Sequence, residues 1–411
     1  MMKKFTVKLF VLGLFIFAFQ ACNEPLVNED PLNEAALKSA NASKVSYIVV
    51  LNDANLNLEL SGLKGYEKRQ AAMKTATSKI LKRTGISDGE VHRVYGTAIK
   101  GFSVMIPPGQ LKKLQDDPSV NYVEKNQKVT LIHPTKKPSG TPGGGNNGGG
   151  GSTGQEIPWG ITRVKGTDTV SYSGDNVAWI IDTGVDLDHP DLNVDASRGA
   201  LFARAKSFDD DNGHGTHVAG TIAAINNDFG VIGVAPGATV IPVKVLDRHG
   251  SGWYDDVIAG VNYVEANGAS GDVANMSLGG PPSQALDDAV IAASAKVKFA
   301  IAAGNDDDFA GNYSPARITD NENIYNNIYT ISAMDSNNKF ASWSNWGNPP
   351  VDYCEPGVNI TSTWKDGGYN TISGTSMATP HLAGILLLGS VKSGGTVSGD
   401  PDENADTIGV H

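Results

Sequence analysis

Between Val177 and Leu388 the chain alternates short, nearly continuous apolar runs with longer segments of helical periodicity. Val177–Ile181, Val240–Leu246, Val273–Met276 and Phe299–Ala303 are the runs; 217–225, 257–265, 284–296 and Ser376–Leu388 read as helices. A strand with one wet face alternates apolar and polar residues, whereas a run without alternation is covered on both faces. Strand–helix alternation of this kind predicts an α/β fold: a doubly wound, mostly parallel sheet with helices on both sides. Open sheets of that type carry their sites beyond the carboxyl ends of the strands.

Chemistry-bearing residues fall at those ends. Asp182 closes the first run in Ile181–Asp186 (IDTGVD). His214 lies in Asn212–Gly220 (NGHGTHVAG), and Ser376 in Gly374–His381 (GTSMATPH), both at predicted helix starts. Asn305 follows Ala302-Ala303-Gly304 at another strand end. A serine hydroxyl is a poor nucleophile at neutral pH and needs a base within hydrogen-bond reach. Imidazole suits that role, and a buried carboxylate fixes its tautomer. Each string alone is ordinary; the three together point to nucleophilic acyl transfer.

The order Asp, His, Ser with these local strings resembles the subtilisin family of serine proteases, for which this order is a standing template. Asn312–Ala316 and Ser373–Ser376 are most similar to its proteinase K branch. The resemblance implies a serine endopeptidase with Asp182, His214 and Ser376 as catalytic residues and Asn305 as the oxyanion-hole donor. It also implies a cleft between Gly250-Ser251-Gly252 and Ser277-Leu278-Gly279, where an extended peptide adds as a strand. Tyr254 and Leu278 would make that cleft apolar. The chemistry requires no cofactor. Structural calcium is expected at Asp352 by the same resemblance; the acidic runs Asp209–Asp211 and Asp306–Asp308 are read as solvated loops, with calcium as the alternative. His217 is expected to be structural. The rival readings are an inactive relative that keeps the fold, against which all four site residues stand, and a narrowly specific processing enzyme.

The remaining segments suit an exported zymogen. Lys3, Lys4 and Lys8 precede the apolar run Leu9–Phe19, too short for a spanning helix and right for a signal-peptide core. Ala21-Cys22 resembles a lipoprotein cleavage site, so residues 1–21 are expected to be removed and Cys22 lipidated. With Cys22 acylated, Cys354 has no disulfide partner and is read as a buried thiol. After a tether (22–44), residues 45–132 alternate strand and helix as a small α+β unit, and SYIVVL and DPSVNYVEKNQKV resemble the inhibitory propeptide of subtilases. A Gly-rich linker (133–156) leads to the catalytic domain (157–411). Residues 1–137 carry 20 Lys and Arg against 12 Asp and Glu; the remainder carries 13 against 32. The acidic half excludes a nucleic-acid binder, and the opposite signs attract. Protein or peptide substrates are expected, with the propeptide as inhibitor, self-cleavage near Leu131–His133, and a monomer touching membrane only through a lipid. The precursor is placed at the outer membrane or cell surface of a bacterium.

Overall fold

The computed structural model describes residues 43–52, 60, 62–131, 154–166, 170–319 and 327–411. The signal segment, Cys22, the tether, Ile132 and most of the linker lie outside these residues. Lys44–His411 form one unit.

The N-terminal part is an antiparallel sheet of four strands in the spatial order Glu90–Gly96, Lys100–Ile106, Val45–Leu51, Val120–Lys125. The helix Tyr66–Arg83 lies on one face. It buries Met73, Ala76, Thr77, Ile80 and Leu81, the stripe expected of helical periodicity, with Glu67 in its first turn and Lys82 and Arg83 in its last. Strand Val45–Leu51 is apolar on both faces. Tyr47, Val49 and Leu51 join the helix-side core, while Ile48 and Val50 join a second core shared with the following domain. The strand 90–96 was not anticipated. His92 and Arg93 interrupt its apolar pattern because they face acidic partners across the interface.

The second part is a ten-stranded sheet. From one edge the order is Lys392–Thr396, Thr407–Val410, Tyr353–Pro356, Ile328–Met334, Lys298–Ala302, Val273–Met276, Ala178–Asp182, Thr239–Lys244 and Asn193–Val194, with Ala200–Leu201 also on Thr239–Lys244. All pairings are parallel except the first. The expected α/β architecture is therefore observed. The chain leaves Ala178–Asp182 for Thr239–Lys244 on one side, then returns to Val273–Met276 on the other. That reversal opens a crevice at the carboxyl ends, beside Asp182.

The helix expected over 257–265 runs Tyr254–Asn267, and two further boundaries differ for identifiable reasons. The run 240–246 stops as a strand at Lys244, because the amides of Val245 and Leu246 both turn to the Asp182 carbonyl (2.9 and 3.2 Å). The helix expected from 217 begins at His214 and ends at Ala223, after which Ile225 N–H bonds Asp191 O. Among the described residues no helix is long and apolar enough to cross a membrane.

Candidate active site

Asp182 is the last residue of its strand and fully buried. Its carboxylate accepts from Thr183 N–H (2.6 Å) and from His214 Nδ1 (2.9 and 3.0 Å). The carboxylate thus faces one ring nitrogen and leaves Nε2 for other work. His214 is the first residue of its helix, and Asp210 explains why the helix starts there. The Asp210 carboxylate accepts from the amides of Asn212, Gly213 and Thr216 and from the Thr216 and Thr183 hydroxyls. It occupies the helix N-terminus, where orphan amides and the dipole favour an anion. Asp210 is buried, which corrects the solvated reading for that residue, while Asp209 and Asp211 are exposed as expected; burial also raises the Asp210 pKa. Asp211 pairs with the buried Lys244 at 2.8 Å. Gly213 has φ 113°, and a Cβ there would meet the Trp364 ring at 2.3 Å.

Ser376 is the second residue of the helix Thr375–Leu388. Pro380 stands four residues on and has no N–H to give the Ser376 carbonyl. Ser277 supplies the missing donor: its Oγ bonds Ser376 O at 2.8 Å and accepts from Asn275 Nδ2 at 2.8 Å. The Ser376 hydroxyl donates in turn to Ser277 O at 3.2 Å. These serines lock the end of strand Val273–Met276 to the helix start. The sequence reading gave Ser277 a place in the cleft and missed this role; Pro380 four residues after a candidate nucleophile was the available signal.

Asn305 is fully buried, and its Oδ1 accepts from Thr375 N–H and Oγ1, both at 2.9 Å. With Oδ1 so committed, Nδ2 is the end presented toward Gly374, 3.3 Å from where a Cβ on that residue would lie. Gly304 before it has φ 116° and packs on Asn345. Asn345 was not anticipated. Its side chain donates to Ala303 O (3.0 Å) and accepts from Asp306 and Asp308 N–H (2.8 and 3.2 Å), clamping the loop.

The two cleft edges hold a strand from the N-terminal part. Lys128–Thr130 pairs antiparallel with Ser251–Trp253, in register Thr130 with Ser251 and Val129 with Gly252. Leu131 N–H bonds Gly250 O at 2.7 Å, and Thr130 bridges to Gly279 on the other side. Gly250 has φ 68°, and a Cβ would strike Leu131 at 2.5 Å. Val129 and Leu131 are buried in the core that contains Tyr254 and Leu278. Upstream, Glu124 accepts from Ser283 Oγ and from Gln284 N–H (3.0 Å) at the start of helix Gln284–Ser294, and Asn126 Oδ1 accepts from Asp255 N–H (3.2 Å) near the start of Tyr254–Asn267.

His217 is buried, donates from Nε2 to Ile360 O (3.0 Å), and has an unpartnered Nδ1; burial pushes its pKa down to about 3. Cys354 is buried and free, and burial holds its thiol well above the ordinary range. Asp352 bonds the Thr330 amide at 2.8 Å. A different set of oxygens converges on Gln155. Its Nε2 lies 2.6 Å from Ile225 O, 3.0 Å from Val231 O, 3.2 Å from Asn227 Oδ1 and 3.4 Å from Phe229 O. An amide nitrogen has two hydrogens and cannot satisfy four acceptors. Asp191, its pKa raised by burial, stands beside them through Asn227 Nδ2 and Val231 N–H. That all-oxygen set suits a hard cation such as calcium.

A parallel α/β sheet with a buried carboxylate on a histidine at one strand end, and a serine at a helix start locked to the neighbouring strand end, has the parts of a class, the serine hydrolases. Residues 176–393 match the Subtilase family (Peptidase S8), and residues 46–132 match Peptidase inhibitor I9. The "Extracellular serine proteinase" of Thermus sp. (strain Rt41A) is 35% identical over 392 residues, covering 92% of this chain and 88% of that protein. "Subtilisin E" of Bacillus subtilis (strain 168) is 36% identical over 330 residues, covering 79% and 78%. A crystal structure of a cold adapted subtilisin-like serine proteinase is 41% identical, with a TM-score of 0.48 over 56% of this chain and 83% of that one. The chain belongs to the subtilase family. It is a subtilisin-like serine endopeptidase preceded by an I9 inhibitory propeptide domain.

Proposed function

We propose that the chain is an exported, self-processing zymogen in which Ser376 is the nucleophile, His214 the base, Asp182 the residue that orients it and Asn305 the oxyanion donor. The carrying observation is the strand 128–131, which lies between Gly250–Gly252 and Gly279 as a bound peptide would. The Ser376 hydroxyl turns from Ser277 O toward His214 Nε2. Its oxygen attacks the scissile carbonyl carbon as its proton passes to Nε2. Asn305 Nδ2 and the Ser376 amide receive the oxyanion. Collapse returns the proton to the leaving amine and leaves an acyl-enzyme, which water opens by the same route.

Residues 45–132 act as inhibitor, 133–156 as linker and 157–411 as catalytic domain. Val129 and Leu131 fill apolar pockets, which favours cleavage after Ile132 over the glycine tract. Cleavage there separates the protease from Cys22, so maturation of a lipidated precursor releases the enzyme to the medium. The name of the Thermus relative supports export. Calcium is assigned a structural role at Gln155, Asp191 and Asn227 with the carbonyls around them, and the Asp352 loop is a further candidate; the ion takes no part in the chemistry. The mature enzyme acts as a monomer on unfolded protein. N-terminal sequencing of the secreted form tests the reading. A start at residue 133 is expected, absent in Ser376→Ala; a mature chain beginning at Cys22 overturns it.

A further inference from the structure

Lys244 ends the strand Thr239–Lys244, in register with Asp182 on one neighbouring strand and with Leu201 on the other. It is the one polar residue in the run Val240–Leu246. Its side chain is fully buried, and among the described residues no other lysine or arginine is buried. An ammonium taken out of water is unfavourable unless it is paired and hydrogen-bonded, and an apolar side chain of similar volume often fills such a place at no loss of stability. Packing alone therefore does not account for a cation at this position.

Its two acceptors do. Lys244 Nζ donates to Thr183 O and, at 2.8 Å, to Asp211 Oδ1. Thr183 directly follows Asp182. Its N–H donates to the Asp182 carboxylate at 2.6 Å. Its hydroxyl donates to Asp210 at 2.9 Å and accepts from Gly215 N–H at 2.9 Å. Asp211 stands three residues before His214, next to Asn212, whose side chain accepts from the His214 amide at 3.1 Å. Lys244 thus grips the segment that follows Asp182 and the segment that precedes His214. These segments meet backbone to backbone: a Cβ on Gly215 would lie 2.0 Å from Gly184 O, one on Gly184 would lie 2.4 Å from Phe208 O, and Val185 bridges to Asp209. Lys244 anchors both of them to a third element, the central sheet.

We propose that Lys244 is a positioning residue for acyl transfer, setting the alignment of the Asp182–His214 pair by fixing Thr183 and Asp211 to the sheet. The inference rests on the roles given above to Asp182 and His214. A displacement of about 1 Å in a catalytic group can lower the rate about a hundredfold, so a tether acts on turnover without touching substrate. Both of its acceptors belong to the catalytic part and neither lies in the cleft, so substrate affinity has no reason to follow.

The test is Lys244→Met, which keeps the length of the side chain and removes its donors. Processed enzymes are compared by kcat and KM, with kcat expressed per active site counted by fluorophosphonate labelling. Lys244→Met should lower kcat about ten- to a hundredfold while KM stays within about twofold of the parent. Lys244→Arg, which keeps the charge and the N–H donors, should recover most of that loss. In the full chain carrying Ser376→Ala, the low-field NMR resonance of the His214 Nδ1 proton should shift or broaden on Lys244→Met. Where Lys244→Met gives no folded enzyme, Asp211→Ala decides, because Asp211 is exposed and its truncation frees only the His214 side. That variant should lose about threefold or more in kcat, and Asp211→Asn, which keeps an acceptor, should regain it. Parental kcat in folded Lys244→Met, or in Asp211→Ala where Lys244→Met does not fold, overturns the proposal, as does a loss carried by KM alone. His214→Ala separates the two readings. Parental turnover in that variant defeats the role of His214 itself, whereas its inactivity beside a fully active Lys244→Met defeats only the tether.

Discussion

Pro380 deprives the Ser376 carbonyl of its helical donor, and Ser277 replaces it. Ser277→Ala leaves that buried carbonyl unsatisfied beside the proposed nucleophile, a cost of about 1–3 kcal/mol. We expect kcat to fall roughly tenfold with KM little changed; a change confined to KM would make Ser277 a substrate contact only. Asn345→Ala should act through Asn305, lowering kcat without touching substrate. Its effect should vanish in an Asn305→Ala background, where, on the proposed oxyanion role, a hundred- to thousandfold loss in kcat is expected, roughly the size of losing one such donor. The buried histidines give a pH signature. His381 donates from Nδ1 to Met377 O, its Nε2 is unpartnered, and burial pushes its pKa down to about 4. Unfolded imidazole titrates near about 6.5. Between those values the unfolded chain binds a proton that the native state refuses, so this residue's contribution to stability is lost as pH falls through that window. Asp256 and Asp287, raised to about 6 by burial, act with the opposite sign. The clean observable is therefore a difference. From pH 6 to 4.5, stability should fall less steeply in His381→Asn than in the parent, by up to about 1.4 kcal/mol per pH unit; parallel curves would remove His381 from the acid limb.

The strand Val45–Leu51 shows why the propeptide needs the enzyme. Its odd residues complete their own core, and Ile48 and Val50 complete the enzyme's. Separately made, the segment exposes that second face. Glu124 then holds the start of Gln284–Ser294 through Ser283 and Gln284. Glu124→Gln should weaken inhibition in trans about tenfold, since a charged acceptor at a helix N-terminus is exchanged for a neutral one; unchanged inhibition would confine recognition to the cleft strand. At this scale the sequence was legible where periodicity was uniform. Val177–Ile181, with both faces covered, and Ser376–Leu388 were read within a residue or two. The start of the 214 helix was not, because Asp210 caps it from a stretch that looks solvated. Strand 90–96 was hidden because its polar residues answer groups distant in sequence, His92 with Asp255 and Arg93 with Asp256. No local pattern carries a partner about 160 residues away.

Across the whole molecule the charge division is read directly from composition, and the interface gives it contacts. Arg93 meets Asp256 at 2.7 Å and His92 meets Asp255 at 2.7 Å. Association of the propeptide should slow as salt rises, while the apolar core keeps dissociation nearly unchanged. A salt effect confined to dissociation would contradict that division. The strand end at Asp182 and the helix start at Ser376 were legible because each motif breaks a uniform pattern there. Ser277, Asn345 and the Gln155 oxygen cluster were not, since their roles arise only when separate loops meet. The central claim is that Ser376 performs acyl transfer in a chain held silent by its own propeptide. Fluorophosphonate labelling of the processed enzyme, beside Ser376→Ala, tests it most directly. The account predicts one label per chain at Ser376 together with casein hydrolysis, and neither in the variant, which keeps residues 45–132 attached. A Ser376→Ala protein that still takes the label, or digests casein at the parental rate, would contradict it.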